Sequence, residues 1–439
     1  MGFISHGRMA ATALGLGAAV LLAGCGGGGS GDDKKVEIRL VNASASYASL
    51  DLKVADNTVN SNVAYGSAGS YASVSTSDTA SQLVSGGTAL ATTTPTLTAG
   101  YKYSLIGYGW AGAMRTALLQ EGETAPASGS TKLLVLNLAP DAGALDIYLS
   151  ASCSESLDNA TALAASIAGG SGSGYTTTTA GTYCLRVTGA GRKDDLRLTI
   201  PALSLPSTQV ATLVVSSTSG GVLVNGITIV QTGAVSNYAG TNARARVVGA
   251  LGGGNKVAVT RGGISLLQNS ATPTIGEYTT VAAGADSVSI SVNGAALPVQ
   301  TPQLNSGGDY TLQVWGTAAE PKVSVIADDN RLPTTSGTAK LRLINGIGNM
   351  DAGLTATLDY SAIASNIAPG SASSYATISA STSSQLTISS PSFSDPVFSQ
   401  PATTSSAALA IVSGGIYNIF LMGDGSALST IKGVLRKER

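Results

Sequence analysis

Residues with reactive side chains are scarce in this sequence, which has three cysteines and one histidine. Thiolates and imidazoles serve as nucleophiles, general bases and metal ligands. The histidine, His6, lies in an N-terminal segment that we expect to be removed. The remaining chain would then lack Ser–His and Cys–His pairs and the usual zinc ligands. We therefore predict no catalytic residues, no cofactor and no metal site; a hydrolase with two converging carboxylates is the least favoured alternative.

The N-terminal segment has the pattern of an export signal. A short polar start containing His6 and Arg8 precedes an apolar run from Met9 to Ala23. This run is shorter than the roughly 20 residues that span a bilayer as a helix. A basic start, a short apolar run and small residues after it are typical of a secretory signal peptide. We predict a signal peptide over residues 1–24.

The end of this run, Leu22-Ala23-Gly24-Cys25, resembles the lipobox of bacterial lipoproteins. The resemblance implies that the thiol of Cys25 receives a diacylglycerol, that the chain is cut before it, and that the new amine is acylated. Several acyl chains anchor a protein stably, whereas one does so only marginally. The Gly after Cys25 implies sorting to the outer membrane, facing the periplasm or the cell surface. Residues 25–35, rich in Gly, would form a flexible tether. An ordinary signal peptide with an incidental cysteine is the alternative.

The other two cysteines, Cys153 and Cys184, would be exported with the chain. Two cysteines in an oxidising compartment most simply form a disulfide. Closing a loop of about 30 residues would stabilise the fold by roughly 3–4 kcal/mol in the chain-entropy model. Metal binding by the pair is the alternative, although two thiolates without histidine make a poor site.

The charge content argues against some partners. Charged residues make up 11% of the chain and its formal net charge is −1, so it generates no long-range field that would attract nucleic acid. We predict no nucleic-acid partner, and a protein or glycan partner of unknown identity. The acidic residues Asp141, Asp194, Asp195, Asp328 and Asp329 suggest calcium only weakly, because Asp is also favoured in turns.

The two tryptophans, Trp110 and Trp315, admit two interpretations. A buried tryptophan fills a core, whereas an exposed one can stack on the face of a sugar. Core packing is favoured, and the stacking role makes both residues speculative ligand-binding candidates. Tyrosines recur at one repeat position, which favours packing over ligand contact; they are Tyr71, Tyr175, Tyr278 and Tyr375.

Self-comparison shows a repeat of roughly 100 residues. Each repeat opens with an alternating segment; these segments start at Val36, Lys132, Arg244 and Lys340. Short alternating runs with Gly-rich turns predict β-sandwiches. Asn293-Gly294 and Asn225-Gly226, each between alternating runs, predict hairpin turns. The predicted fold class is all-β, with four tandem Ig-like β-sandwich repeats at residues 36–130, 131–242, 243–338 and 339–439.

The second repeat carries a family signature. The segment from Leu136 to Tyr148, LNLAPDAGALDIY, resembles the opening of the bacterial domain of unknown function 4397, which typically has Asn-Ala-Ser-Pro-Asp followed by Val-Asp-Val-Tyr. The first repeat keeps Asn42-Ala43-Ser44 but lacks the Pro-Asp, and Gly249 replaces the Asn in the third. The resemblance implies an Ig-like fold in exported lipoproteins and no established activity.

These observations together predict a non-enzymatic, lipid-anchored cell-envelope protein acting as a scaffold or interaction module. The alternative is an adhesin that binds glycan or matrix through loops at the sandwich ends or through Trp110 and Trp315.

Overall fold

The computed structural model describes residues 34–401 and 408–439. Across these ranges the regular structure consists of 38 β-strands and two single-turn 3-10 helices, Pro140–Ala142 and Leu428–Thr430. The strands fall into four consecutive sets, here called units 1 to 4, and no sheet in these ranges takes strands from two sets. The predicted signal peptide (1–24), the lipidation residue Cys25 and the tether up to Asp33 lie outside the described residues.

Unit 1 is a sandwich of two four-stranded sheets, with strand orders β4-β1-β7-β8 and β3-β2-β5-β6. The alternation of β2, in which Leu50, Leu52 and Val54 are buried, matches a strand with one face on a core. The strands are β1 Lys35–Asn42, β2 Ser49–Val54, β3 Asn57–Ala64, β4 Ala72–Ser75, β5 Ser81–Ser85, β6 Thr88–Thr93, β7 Lys102–Tyr108 and β8 Arg115–Glu121.

Unit 2 has a five-stranded sheet, β12-β9-β15-β16-β17, and a four-stranded sheet, β11-β10-β13-β14. The predicted disulfide is confirmed, since Cys153 is bonded to Cys184 on β13. The strands are β9 Ser130–Leu138, β10 Leu145–Ser150, β11 Ala164–Ile167, β12 Ser171–Thr179, β13 Gly181–Gly189, β14 Arg192–Leu205, β15 Val210–Ser217, β16 Val224–Val230 and β17 Val235–Tyr238.

Unit 3 has sheets in the orders β21-β18-β27-β28 and β20-β19-β24-β25, with β22 also pairing β18 and a small β23-β26 ladder. The strands are β18 Asn242–Gly249, β19 Lys256–Arg261, β20 Ile264–Ala271, β21 Thr274–Ile275, β22 Thr279–Ala282, β23 Gly284–Ala285, β24 Val288–Val292, β25 Ala295–Ala296, β26 Gln303–Leu304, β27 Asp309–Gly316 and β28 Pro321–Asp328.

Unit 4 repeats the plan of unit 1, with sheets β32-β29-β37-β38 and β31-β30-β34-β35 and a small β33-β36 ladder. The strands are β29 Thr338–Ile347, β30 Leu354–Leu358, β31 Ser361–Ile367, β32 Ala376–Ser379, β33 Ser381–Ser384, β34 Leu386–Ser389, β35 Phe398–Gln400, β36 Leu409–Ile411, β37 Ile416–Gly423 and β38 Ile431–Lys437.

The predicted all-β fold of Ig-like β-sandwiches is confirmed. In units 1, 3 and 4 a tyrosine hydroxyl accepts a hydrogen bond from the backbone N–H five residues earlier, as in the tyrosine corner of Ig-like sandwiches; the pairs are Tyr103–Thr98, Tyr310–Asn305 and Tyr417–Val412. The opening strand of every unit runs parallel to a later strand, for example β1 to β7. Each opening strand begins one residue before the predicted unit start, and the predicted domain boundaries stay a prediction.

One of the two predicted Asn-Gly hairpins is wrong. Asn293 and Gly294 do form the turn between β24 and β25, with φ of 51° and 83°. Asn225 and Gly226 instead lie within the continuous strand β16. Gly226 faces the core there, and an added Cβ would lie 3.0 Å from Ile200 of the opposite sheet, so a larger residue would crowd the core. The side chain of Asn225 donates to the hydroxyl of Tyr65 in unit 1 at 2.8 Å.

The units pack in pairs. Apolar residues of units 1 and 2, including Val41, Ile106, Val214 and Ile227, form one buried cluster between the two sandwiches. Val248 of unit 3 and Ile344, Phe420 and Met422 of unit 4 form the equivalent cluster in the second pair. The opening strands therefore lie between two cores, and both of their faces are buried.

Candidate functional site

The interface between units 1 and 2 contains a buried ion pair on the opening strand. Arg39 of β1 and Glu121 at the end of β8 are both buried, with Nη2 3.2 Å from Oε1. Arg39 also donates to the backbone carbonyl of Gly233 in unit 2 at 2.7 Å, and the N–H of Thr232 donates to Glu121. The pair therefore connects the two units through charge-assisted hydrogen bonds.

The interface between units 3 and 4 also contains buried ion pairs, and here the pairs themselves cross from one unit to the other. Arg246 of β18 donates to Glu438 in unit 4 at 2.7 Å, and Arg342 of β29 donates to Asp328 in unit 3. All four side chains are buried. Burial alone would raise the pKa of Asp328, but the guanidinium groups of Arg342 and Arg246 outweigh burial and hold that pKa below its usual value. Two arginines and two carboxylates thus neutralise each other across the interface.

The recurring tyrosines cover these arginines. The ring centroids of Tyr71, Tyr278 and Tyr375 lie 4.5, 4.5 and 4.6 Å from the guanidinium carbons of Arg39, Arg246 and Arg342. A guanidinium on an aromatic face gains a cation–π attraction. In unit 2 the strand position of these arginines is occupied by Leu134, which packs with Tyr175 in the apolar cluster. The repeated tyrosine therefore has a packing role.

The asparagine of the signature holds the two sheets of a unit together. Asn42, Asn137 and Asn345 donate from Nδ2 to backbone carbonyls of Val63, Ile167 and Ile367, at 2.9 to 3.1 Å. Their Oδ1 atoms accept the N–H two residues later. In unit 3 the added Cβ of a residue replacing Gly249 would lie 2.7 Å from Thr272, so only glycine fits this position. The signature asparagine is a structural residue.

The aspartates of the signature are also engaged by the backbone. Asp146 accepts the N–H groups of Ser166 and Gly191 at 2.7 and 2.9 Å. Asp141 is 1% exposed and accepts the N–H of Leu332, in the linker between units 3 and 4, at 2.6 Å. Burial raises the pKa of Asp141 to about 6, opposed by the Leu332 N–H and by Arg439 and Arg331. Asp141 therefore lies where the first pair of units meets the second.

The other acidic candidates for calcium have cationic partners or are exposed. Asp329 lies 2.7 Å from Arg331 and 3.0 Å from Lys340, and Asp195 lies 2.6 Å from Arg197. Asp194 is exposed on β14. Over residues 34–401 and 408–439, no group of three or more His, Cys, Asp or Glu side chains is arranged to hold a metal ion.

The two tryptophans lie at unit boundaries and are half-buried. Trp110 of unit 1 has the guanidinium of Arg331, in the linker between units 3 and 4, 5.4 Å from its ring centroid. Trp315 donates from Nε1 to Ser324 at 2.9 Å, and Gly370 of unit 4 approaches its ring so closely that an added Cβ would lie 2.2 Å away. Both therefore make structural contacts between units, and sugar stacking by them stays a prediction.

Among the large hydrophobic residues of the described part of the chain, Tyr360 is the most exposed, at 91%. It lies at the tip of the hairpin that joins β30 to β31 in unit 4. Tyr360 is not among the residues predicted from the sequence. Its signal, an aromatic residue in a two-residue turn where glycine is favoured, can be recognised only once the fold shows that turn.

Comparisons with known proteins place these features in a family. The model of the domain of unknown function 4397 matches residues 36–148 and 243–353, just over half of the chain. Each match covers the first unit of a pair and continues into the opening of the second unit. No curated protein shows a significant match. None of the helices in the described ranges has the length and apolarity needed to cross a membrane.

Solved structures show only distant similarity. A protein of Bacteroides uniformis for which a cell-adhesion role is proposed is 14% identical, with 46% of this chain and 99% of that chain covered and a TM-score of 0.22. A similar protein of Bacteroides eggerthii is 13% identical, with 47% and 98% covered and a TM-score of 0.19. The TIE protein of Bacillus anthracis is 8% identical, with 88% and 66% covered and a TM-score of 0.15. TM-scores this low support no argument. The family match alone shows that this chain belongs to the DUF4397 family, whose function is unknown.

Proposed function

We propose that this protein is a non-enzymatic interaction scaffold of the cell envelope, anchored through acyl chains on Cys25 and exported by the signal peptide at residues 1–24. The proposed location is the outer membrane, on its periplasmic or cell-surface face. Its sandwiches would hold a contact surface at a fixed distance from the anchor. The lipid bilayer would be one partner, and a protein or glycan the other.

The observation that carries this proposal is the use of buried charge between units. Arg39 with Glu121, and Arg342 with Asp328, are removed from solvent at the two interfaces. Breaking a buried pair by removing one partner costs about 3–5 kcal/mol. The Arg342–Asp328 pair joins unit 4 to unit 3, and the hydrogen bonds of Arg39 to Gly233 and of Thr232 to Glu121 join unit 1 to unit 2. Units joined by these contacts keep a fixed relative position, as a scaffold requires. A hydrolase would need carboxylates that are free to react, whereas these carboxylates are already paired with arginines.

An adhesin that binds glycan or matrix is the second candidate. A nearly fully exposed aromatic side chain, Tyr360, favours it. Trp110 and Trp315 support it less, because each contacts a neighbouring unit.

Anchoring can be tested by expressing the full-length chain and Cys25→Ser in a Gram-negative host fed with an alkyne fatty acid. We expect the wild-type chain to incorporate the label and to fractionate with the outer membrane, and Cys25→Ser to do neither. Protease added to intact cells would distinguish the two faces of the membrane. An unlabelled wild-type chain in the soluble periplasmic fraction would refute the anchored scaffold.

A further inference from the structure

The hairpin between β30 and β31 ends in a two-residue turn formed by Asp359 and Tyr360. Leu358 pairs with Ser361 across the turn, and φ is 48° at Asp359 and 66° at Tyr360. Both residues are therefore in the left-handed region, which favours Gly, Asn and Asp and is unfavourable for a bulky side chain. The Tyr360 side chain makes almost no contact with the rest of the protein, because 91% of it is exposed. The fold therefore gains little from this tyrosine.

Equivalent turns in other units show that the fold does not require an aromatic residue here. In unit 1, Ala55 and Asp56 form the turn between β2 and β3, with φ of 47° and 62°. In unit 3, Gly262 and Gly263 form the turn between β19 and β20, with φ of 53° and 81°. A strained residue that adds nothing to packing points to a role in function.

Tyr360 shares its turn with the carboxylate of Asp359 and lies beside residues with hydrogen-bonding groups. Asp359 donates its N–H to the carbonyl of Gln385 at 2.9 Å, and its Oδ1 accepts the Gln385 N–H at 2.7 Å. This exchange fixes the turn against the start of β34, and the adjoining residues Ser361 and Gln385 are both exposed. The residues around the turn therefore offer a carboxylate, a hydroxyl and an amide group to a ligand of Tyr360.

These surroundings favour one class of ligand. Aromatic hot spots of protein interfaces lie in well-packed pockets ringed by contacts that exclude water. An exposed, isolated ring with hydroxyl, amide and carboxylate groups on neighbouring residues suits a neutral sugar, whose apolar face stacks on the ring while its hydroxyls bond to the neighbours. An acidic sugar would be repelled by the carboxylate of Asp359. We propose that the Asp359–Tyr360 turn is a carbohydrate contact, in which Tyr360 stacks on a neutral pyranose and Gln385 and Ser361 bind its hydroxyl groups. This inference rests on the proposed function as an interaction module and names its ligand class.

The test uses the full chain, purified in detergent, on an array of neutral and acidic oligosaccharides, with the best-bound glycan then titrated by calorimetry. We expect binding to a neutral glycan, an affinity at least tenfold lower for Tyr360→Gly, and one within threefold of wild type for Tyr360→Trp. The matched control is Asp56→Gly, which places glycine at the same position of the equivalent turn in unit 1 and should leave the affinity unchanged. Both glycine variants should melt at or above the wild-type temperature, so that lost binding is not lost folding.

Three results would overturn the proposal: a wild-type chain that binds nothing on the array or only acidic glycans, an undiminished affinity for Tyr360→Gly, or a melting temperature of Tyr360→Gly below that of wild type. Labelling of Cys25 in the same preparation separates this proposal from the scaffold. If the chain is acylated normally but binds no glycan on the array, only the sugar site is refuted. If the chain is not acylated, the anchored scaffold is refuted.

Discussion

Asp141 and Leu332 are far apart in sequence, yet the carboxylate of Asp141 accepts the backbone N–H of Leu332 at 2.6 Å. This hydrogen bond joins the opening loop of unit 2 to the linker between units 3 and 4. Further hydrogen bonds lie at the same junction: the N–H of Gly220 and the hydroxyl of Thr218 both donate to the carbonyl of Gly307, at 2.8 and 2.9 Å. The two pairs of units are therefore in direct contact, and a family-signature aspartate is part of that contact.

The buried Asp141 should make stability depend on pH in an unusual direction. Because burial raises its pKa from 3.8 to about 6, the folded chain binds a proton more readily than the unfolded chain. The contribution of Asp141 to stability is therefore greatest below about pH 4 and is lost as the pH rises through about 6. Asp141→Asn, which stays neutral, should raise the free energy of unfolding at pH 7.5 by about 1–3 kcal/mol and should make little difference at pH 4.

The measurement is denaturant unfolding of wild type and variant at each pH, compared as a difference, because Asp328 and Asp329, with lowered pKa values, give the opposite slope in both proteins. Asp194→Asn, at an exposed carboxylate, serves as the control and should change little at either pH. A destabilised Asp141→Asn at pH 7.5 would show that the carboxylate is stabilising in its charged form.

Removing the charge of Arg342 should lower the free energy of unfolding far more than removing an exposed charge does. Arg342→Met keeps much of the apolar stem but removes the guanidinium nearest to the buried carboxylate of Asp328, whose other cationic neighbour, Arg246, has its nearest nitrogen 3.9 Å away. We expect a loss of about 3–5 kcal/mol in the free energy of unfolding, as for other broken buried pairs. Arg192→Met is the control, because Arg192 pairs with Asp195 at the surface and should contribute less than about 1 kcal/mol. Equal effects of the two substitutions would refute the buried-pair argument.

The second pair of units should fold as one body. A fragment of residues 242–439 keeps the cluster of Val248, Ile344, Phe420 and Met422 as well as the Arg342–Asp328 contact. A fragment of residues 338–439 exposes that apolar face and leaves Arg342 without its carboxylate. We expect a single cooperative transition for the longer fragment, and aggregation or a markedly lower melting temperature for the shorter one. Calorimetry of both fragments is the measurement, and an equally stable unit 4 alone would contradict the pairing.

Particular residues show which parts of the fold and of the candidate site can be predicted from the sequence. Alternation and turn residues predict the sandwiches, because both are local signals: Asn293-Gly294 lies at the edge of a core and does turn. Asn225-Gly226 has the same letters but lies between two sheets and against unit 1, so long-range packing overrides the local preference. Alternation likewise places Arg39 on the face of β1 away from the core of unit 1, but only the folded chain shows that unit 2 covers that face. The exposed Tyr360 could not be predicted without the turn geometry.

Replacing Gly370 with alanine adds a single Cβ atom at the contact between units 3 and 4 and so tests that contact. The φ of Gly370 is 75°, and an added Cβ would lie 2.2 Å from the ring of Trp315. Gly337 has nearly the same φ, 77°, but an added Cβ there would have no neighbour within 4 Å. Gly337→Ala should therefore cost only the left-handed backbone penalty of about 1–2 kcal/mol. Gly370→Ala should cost that penalty plus about 1–3 kcal/mol for displacing the indole from the interface. Chemical denaturation measures the difference, and tryptophan fluorescence should change with Gly370→Ala alone. If the two variants are equally stable, displacing the indole of Trp315 costs no free energy of unfolding. The interface would then be less tightly packed than the structure indicates.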